Sequence, residues 1–150
     1  MMRTHRTVLA AAVACAALCI ADRAHADCFE DAANYQHVNP TVLRAIAWQE
    51  SHGRPEAWHV NRNGSIDLGM MQINSIHLAN LGQFGVSGDM LMDACVSVYV
   101  AAWHLKKMMT KYGNTWAAVG AYHSETPRER TIYEGQIRGI VRRLLTLASR

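Results

Sequence analysis

Ala47-Trp48-Gln49-Glu50-Ser51 closes a run of helix-forming apolar residues and hands one carboxylate to a chain reversal at His52-Gly53. Upstream, Val42, Leu43, Ala45, Ile46, Ala47 and Trp48 make a stripe too continuous for an exposed helix, so this helix is expected at the centre of the domain. Pro40, after Asn39, is well placed to open it. A carboxylate in the last turn faces the negative end of the helix dipole, which disfavours its charged form and raises its pKa. That suits a general acid. By itself Glu50 also fits a solvated helix end, the commoner fate of a glutamate, and only the downstream sequence separates the two readings.

The 150 residues, half of them apolar, suffice for one domain with its own core. The first 26 are expected to stand outside it. Arg3 and Arg6 form a short basic region, Thr7 to Ala21 is almost entirely small or apolar, and Ala24-His25-Ala26 reads as a cleavage site. This is the pattern of a secretory signal cut after Ala26. The apolar run is shorter than the roughly 18 to 20 residues of a spanning helix, so no stable membrane anchor is expected. Neither Cys15 nor Cys19 has the surroundings of a lipidated cysteine. Removing the signal takes Arg3, Arg6 and Arg23 from the fifteen basic residues and Asp22 from the twelve acidic ones, so the net charge falls from +3 to +1 and gives no case for nucleic acid. It also leaves Cys28 and Cys95 as the last two cysteines. An even pair in an oxidising compartment reads as a disulfide, with two buried free thiols as the alternative.

The remaining chain reads as helices with one irregular insertion. A first helix is expected over 27–37, with Phe29, Ala32, Ala33 and Gln36 on one face. After the central helix, Asn63-Gly64 between short flanks predicts a hairpin over about 59–68. Asn74 or Ser75 is placed to cap a short helix through about Leu81, and Gly82, Gly85 and Gly88 then break the chain. The longest helix is expected from Asp89 to Asp93 through Met109. Asn114 is expected to cap a short helix over Trp116 to Tyr122, and Thr126-Pro127 to open the last.

Four motifs follow one another in register: Glu50-Ser51; Asp67-Leu68-Gly69-Met70-Met71-Gln72-Ile73-Asn74; Gly120-Ala121-Tyr122-His123; and Tyr133 in the last helix. In that order, behind a signal, they resemble the soluble lytic transglycosylase family, and most closely its small periplasmic members that accompany type III secretion, conjugation and pilus systems. The resemblance covers essentially all of 27–145. It implies a mainly α, lysozyme-like (α+β) domain over 27–150 with a small β-hairpin beside the catalytic helix. The implied activity is cleavage of the β-1,4 bond between N-acetylmuramic acid and N-acetylglucosamine in peptidoglycan, giving 1,6-anhydro products, with no cofactor and glycan strands as partner.

Residue by residue, Glu50 matches the family's catalytic acid, and Tyr122 the tyrosine expected to hydrogen-bond and orient it. Tyr133 matches a second cleft tyrosine. Ser51 and Gln72 resemble polar cleft residues, and Met71 and Asn74 complete the glycan-binding motif. Trp48, Met70 and Met71 are candidates for the apolar surface against which the acid is desolvated. The chain departs from the pattern at Ala121-Tyr122-His123-Ser124-Glu125, where the family usually reads Ala-Tyr-Asn-Ala-Gly, so His123 stands in a substrate-binding position as an imidazole. Asp67 has two readings, a second catalytic carboxylate as in two-carboxylate lysozymes or a hairpin-closing residue. His52, His59, His77 and His104 follow no compact zinc spacing, and no metal is expected. The alternatives to a transglycosylase are a non-catalytic glycan-binding assembly module and a hydrolytic muramidase using Asp67.

Overall fold

The structure is a computed structural model that describes residues 28–150, so the expected signal lies outside the described residues. Helix α1 spans 28–36 and buries Phe29, Ala32 and Ala33. His37 takes a left-handed conformation, φ 55°, and turns the chain into Asn39. The Asn39 side chain accepts from the backbone N–H groups of Thr41 at 2.8 Å and Val42 at 3.2 Å. With Pro40 at its first turn, helix α2 (Pro40–Ser51) is thereby started and its first orphan donors satisfied. Leu43, Ala45 and Ile46 are fully buried, so α2 is the central helix its sequence predicts. His52, φ 56°, and Gly53, φ 75°, end it. Their N–H groups return to the carbonyls of Trp48 and Ala47, at 3.0 and 3.1 Å, which pins the turn carrying Glu50.

The insertion is larger than a hairpin. Strands β1 (Trp58–Val60), β2 (Ile66–Leu68) and β3 (Ile73–Asn74) form an antiparallel sheet in that order, with His59 opposite Asp67 and Asp67 opposite Asn74. Two residues are too few for alternation to show, which is why β3 is invisible to pattern reading. The reversal before it rests on Gly69, φ 75°, and Gln72, whose N–H donates to the Gly69 carbonyl at 3.0 Å. Asn74 then caps a short 3₁₀ turn, Ser75–His77, that runs into α3 (Leu78–Gly82).

Asp93 caps α4 (Ala94–Tyr112), accepting from the Val96 N–H at 2.9 Å. α4 has 19 residues and is not the longest helix; α6 (Pro127–Ala148) has 22, because nothing after Gly139 stops its amphipathic pattern. The cap of α5 (Trp116–His123) is Thr115 and not Asn114, since Gly113, φ 74°, holds the chain extended one residue further. Cys28 and Cys95 form a disulfide that closes 67 residues and ties α1 to the first turn of α4. In the chain-entropy picture a loop of that length is worth on the order of 4 kcal/mol, before any native-state strain.

The buried faces of α1, α2, α4, α5 and α6 share one core with Met70, Met71 and Ile73. Gly69 fixes how the sheet docks on it. A Cβ there would lie 1.9 Å from the Leu91 carbonyl oxygen, and its φ is unfavourable for any L side chain. Gly69→Ala is therefore expected to lower unfolding free energy by at least about 2 kcal/mol in urea titrations. A variant as stable as wild type would show that the sheet is free to move away from Leu91.

Candidate active site

The sheet, the middle of α4 and the end of α5 enclose a cleft of about 810 Å³, and Glu50 lines it. The opposed walls differ in chemistry. His59, Asn61, Asp67 and Asn74 make the sheet side polar, whereas Val100, Trp103, His104 and Tyr122 give the helical side an aromatic surface.

Glu50 is the acid of this cleft. Burial lifts its carboxyl from the ordinary 4.5 to about 7. A hydrogen bond from the Tyr133 hydroxyl partly opposes that rise, and the Asp67 charge adds to it. Desolvation, more than the helix dipole, is thus what keeps the proton on Glu50 near neutral pH. The surface responsible is not Trp48, which is 52% exposed and points its ring at His52. Met70 and Met71 are in the core, and the aromatic side of Tyr133 and Tyr122 completes the enclosure.

The two tyrosines exchange the roles their motifs imply. Tyr133 donates to Glu50 Oε1, while the Tyr122 hydroxyl donates to the Met71 carbonyl at 3.0 Å. Their rings stack, 6.4 Å between centroids and 20° between planes. The hydrogen bond to the acid therefore comes from Tyr133, and Tyr122 packs against the ring that supplies it. Burial and the nearby Glu50 charge push both phenols well above their ordinary value, so both remain donors. Gly120 makes this closeness possible: a Cβ there would sit 2.3 Å from the Arg130 carbonyl oxygen, so only glycine lets α5 approach α6 this tightly.

Asp67 is held by two amides. Asn61 Nδ2 donates to Oδ2 at 2.9 Å and Asn74 Nδ2 to Oδ1 at 2.6 Å. Ser65 Oγ accepts from both amides, at 3.2 and 3.0 Å. Asn74 thus lines the cleft while holding Asp67 and capping the following turn. Gln72 lines the cleft, but its amide is tied to the carbonyls of Gly69 at 2.9 Å and Ala57 at 3.2 Å.

Two expected substrate contacts are interior. Ser51 is 1% exposed, donating to the Met70 carbonyl at 2.7 Å and accepting from the Arg54 N–H at 3.0 Å. Met71 is 0% exposed, its N–H donating to Ser97 Oγ at 3.1 Å. Both join the segment carrying the sheet to the core, since a small hydroxyl and a flexible thioether fill the gap beneath it. His123, by contrast, is exposed on the cleft wall, its ring parallel to that of Tyr133.

Reading by motif misses the α4 wall. Val100, Trp103 and His104 lie at i, i+3 and i+4, so one helical face was legible as a surface, though not its destination. His104 Nε2 lies 3.2 Å from the Tyr122 carbonyl, and its ring meets the Tyr122 ring edge-on at 5.1 Å. Burial, reinforced by His77, lowers its pKa to about 4, so it is neutral at working pH. His77, beside it at 5.2 Å, is lowered by burial and then by Lys107. Among the described residues no group of three or more His, Cys, Asp or Glu is arranged to hold a metal ion.

Glu50 binds its proton more tightly folded than unfolded, so its contribution to stability is full below the unfolded pKa and lost as pH rises through the folded one. Glu50→Gln removes that titration. Relative to wild type, the variant is expected to gain stability across roughly pH 4.5 to 7, levelling at no more than about 3 kcal/mol above that range. Denaturant titrations of both proteins measure this, and a difference independent of pH would contradict the raised pKa.

Residues 27–133 match the Transglycosylase SLT domain family. Invasion protein IagB of Salmonella typhimurium (strain SL1344) is 46% identical over 109 residues, 72% of this chain and 68% of that protein. Protein IpgF of Shigella flexneri is 40% identical over 126 residues, 83% of each chain. X polypeptide of Escherichia coli is 37% identical over 99 residues, 65% of this chain and 59% of its own length. A family match over most of the 150 residues, around a cleft whose acid Glu50 has a raised pKa, means that the chain belongs to the Transglycosylase SLT domain family.

Proposed function

We propose that this protein is an exported lytic transglycosylase that cuts the β-1,4 bond between N-acetylmuramic acid and N-acetylglucosamine in peptidoglycan. The observation that carries the proposal is Glu50, half-buried in an open cleft, with its pKa lifted to about 7 and its carboxyl held by the Tyr133 hydroxyl. Its carboxyl gives a proton to the glycosidic oxygen as the bond to C1 of the muramic acid breaks, and N-acetylglucosamine leaves with a new hydroxyl. The Glu50 carboxylate so formed takes the proton of the C6 hydroxyl, whose oxygen closes on C1. The product is a 1,6-anhydro sugar, no water is consumed, and Glu50 ends protonated as it began. A pKa of about 7 fits a group that must give and take a proton within one turnover.

Asp67 supports a second catalytic part. Two amide donors hold its carboxylate in place beside the cleft, where it can stabilise positive charge developing at C1. The same arrangement is what a hydrolytic, lysozyme-like reading would use to assist attack by water. A non-catalytic glycan-binding module has less support, because a pure binding site gains nothing from burying a carboxyl against its charge.

The proposal extends to location and purpose. Residues 1–26 would direct export to the periplasm and be removed, leaving 27–150 as the catalytic domain. Among the described residues no helix is long and apolar enough to cross a membrane. Local opening of the wall for a secretion or conjugation apparatus would suit a small, single-domain enzyme. The resemblance to that subgroup supports this role, as does a Salmonella relative named for invasion.

Glu50→Gln keeps size and hydrogen bonding but has no proton to give. Release of muropeptides from purified sacculi is expected to fall by about 10²- to 10⁴-fold while sacculus binding stays near wild type. Substantial residual turnover would remove Glu50 from the chemistry.

Asp67→Asn is expected to fold normally and to lose activity, by less than Glu50→Gln, because it removes charge stabilisation and not the proton donor. Mass spectrometry of the released muropeptides is expected to find anhydro ends for wild type and Asp67→Asn alike. Full activity of the variant would leave Asp67 a structural role, and reducing ends from wild type would establish the hydrolytic reading.

A further inference from the structure

His123 has no part in the reaction as written, yet its ring is the cleft-side neighbour of the residue that holds the acid. It is the last residue of α5, and its imidazole lies flat against the Tyr133 ring, 4.9 Å between centroids and 5° between planes. Tyr122, also from α5, stacks with the same ring at 6.4 Å. The tight crossing of α5 and α6 at Gly120 is what brings both rings to Tyr133.

Turning a tyrosine ring about its Cβ–Cγ axis leaves the hydroxyl oxygen where it is, so what carries the phenol off its target is a sideways swing of the whole ring about the Cα–Cβ bond. Tyr133 is 3% exposed, so packing restrains that swing, and the position against its cleft-side face is one that a parallel ring can hold. His123 occupies it. We propose that His123 is a positioning residue for the acid: by stacking on Tyr133 it keeps the phenol hydroxyl on Glu50. The inference deepens the role of Glu50 in the proposed function and rests on that reading for its catalytic meaning.

The consequence has a definite sign. The Tyr133 hydrogen bond favours the ionised form of Glu50 and lowers its pKa, against burial and the Asp67 charge. Loosening the phenol removes the lowering influence and leaves the raising ones, so the Glu50 pKa must climb. The ionisable groups facing Glu50 are Asp67 from β2, Tyr122 from α5 and Tyr133 from α6, with His104 of α4 behind Tyr122. A substitution at His123 leaves all of them in place.

The test is a carbon NMR titration of side-chain carboxyls in glutamate-labelled protein, with the Glu50→Gln spectrum identifying the Glu50 signal. His123→Ala is expected to raise the Glu50 midpoint by about half a pH unit or more. His123→Phe restores a flat ring without a charge and is expected to return it to within roughly 0.2 unit of wild type. Should the alanine variant melt too low to titrate, His123→Leu, bulky but without a flat face, reads the same contrast. An unchanged midpoint in the ringless variants would overturn the proposal, and so would a shift in His123→Phe as large as theirs. The readout needs no turnover, so a wild-type protein that fails to cut peptidoglycan would remove the proposed function and leave this test intact. With turnover present, the alkaline limb of kcat/KM is expected to move with the NMR midpoint; a raised KM over an unmoved limb would make His123 a substrate contact only.

Discussion

Everything in this molecule is arranged around the burial of one carboxyl group. Glu50 sits in the last turn of the central helix α2 and is withheld from water firmly enough that its pKa rises to about 7. A group held that way costs stability at neutral pH, a strain that folds tolerate where it serves chemistry. The stabilising counterweight is spread through the core shared by α1, α2, α4, α5 and α6. It cannot come from Glu50's own partner, because the Tyr133 bond only moderates the desolvation.

The two sides of the cleft solve different problems. On the helical side, aromatic rings from α5 and α6 exclude water and supply one donor to the acid, and Gly120 is the small residue that lets those helices close on each other. On the sheet side the backbone itself is polar and irregular, so side chains finish the hydrogen bonding that short strands leave incomplete. Asn61, Ser65 and Asn74 do so while locking Asp67. Gly69 and Ser51 join this side to the core, one by close approach to Leu91 and the other by gripping the Met70 carbonyl. The distance from acid to sheet is therefore set by packing beneath the cleft, not by residues lining it.

That division explains what could and could not be read from the residues. Central burial of α2, its Pro40 start and its stop at His52-Gly53 are local effects, written in apolar spacing and turn chemistry. Glu50 was legible because its place at the end of such a helix is local too. The partner of its carboxyl was not, since Tyr133 lies 83 residues away and motif order alone points to Tyr122. Ser51 and Met71 were assigned to the cleft for a related reason, although both side chains are interior. A motif records that residue types are needed together, and packing under a site demands that as strictly as contact with substrate does. The α4 wall escaped because Val100, Trp103 and His104 look like any helix face until α5 is brought against them.

Glu50 and Asp67 give one small cleft two carboxyl groups in different surroundings. Glu50 receives one phenol, and burial outweighs that hydrogen bond, so its pKa rises to about 7. Asp67 receives two amide donors, from Asn61 and Asn74, which fix where its carboxylate lies. The pair then reinforce each other, because the Asp67 charge further disfavours ionisation of Glu50. Amides on one wall and aromatic rings on the other therefore do more than shape a groove for a glycan: the amides fix the carboxylate whose charge, added to burial on the ring side, raises the pKa of Glu50.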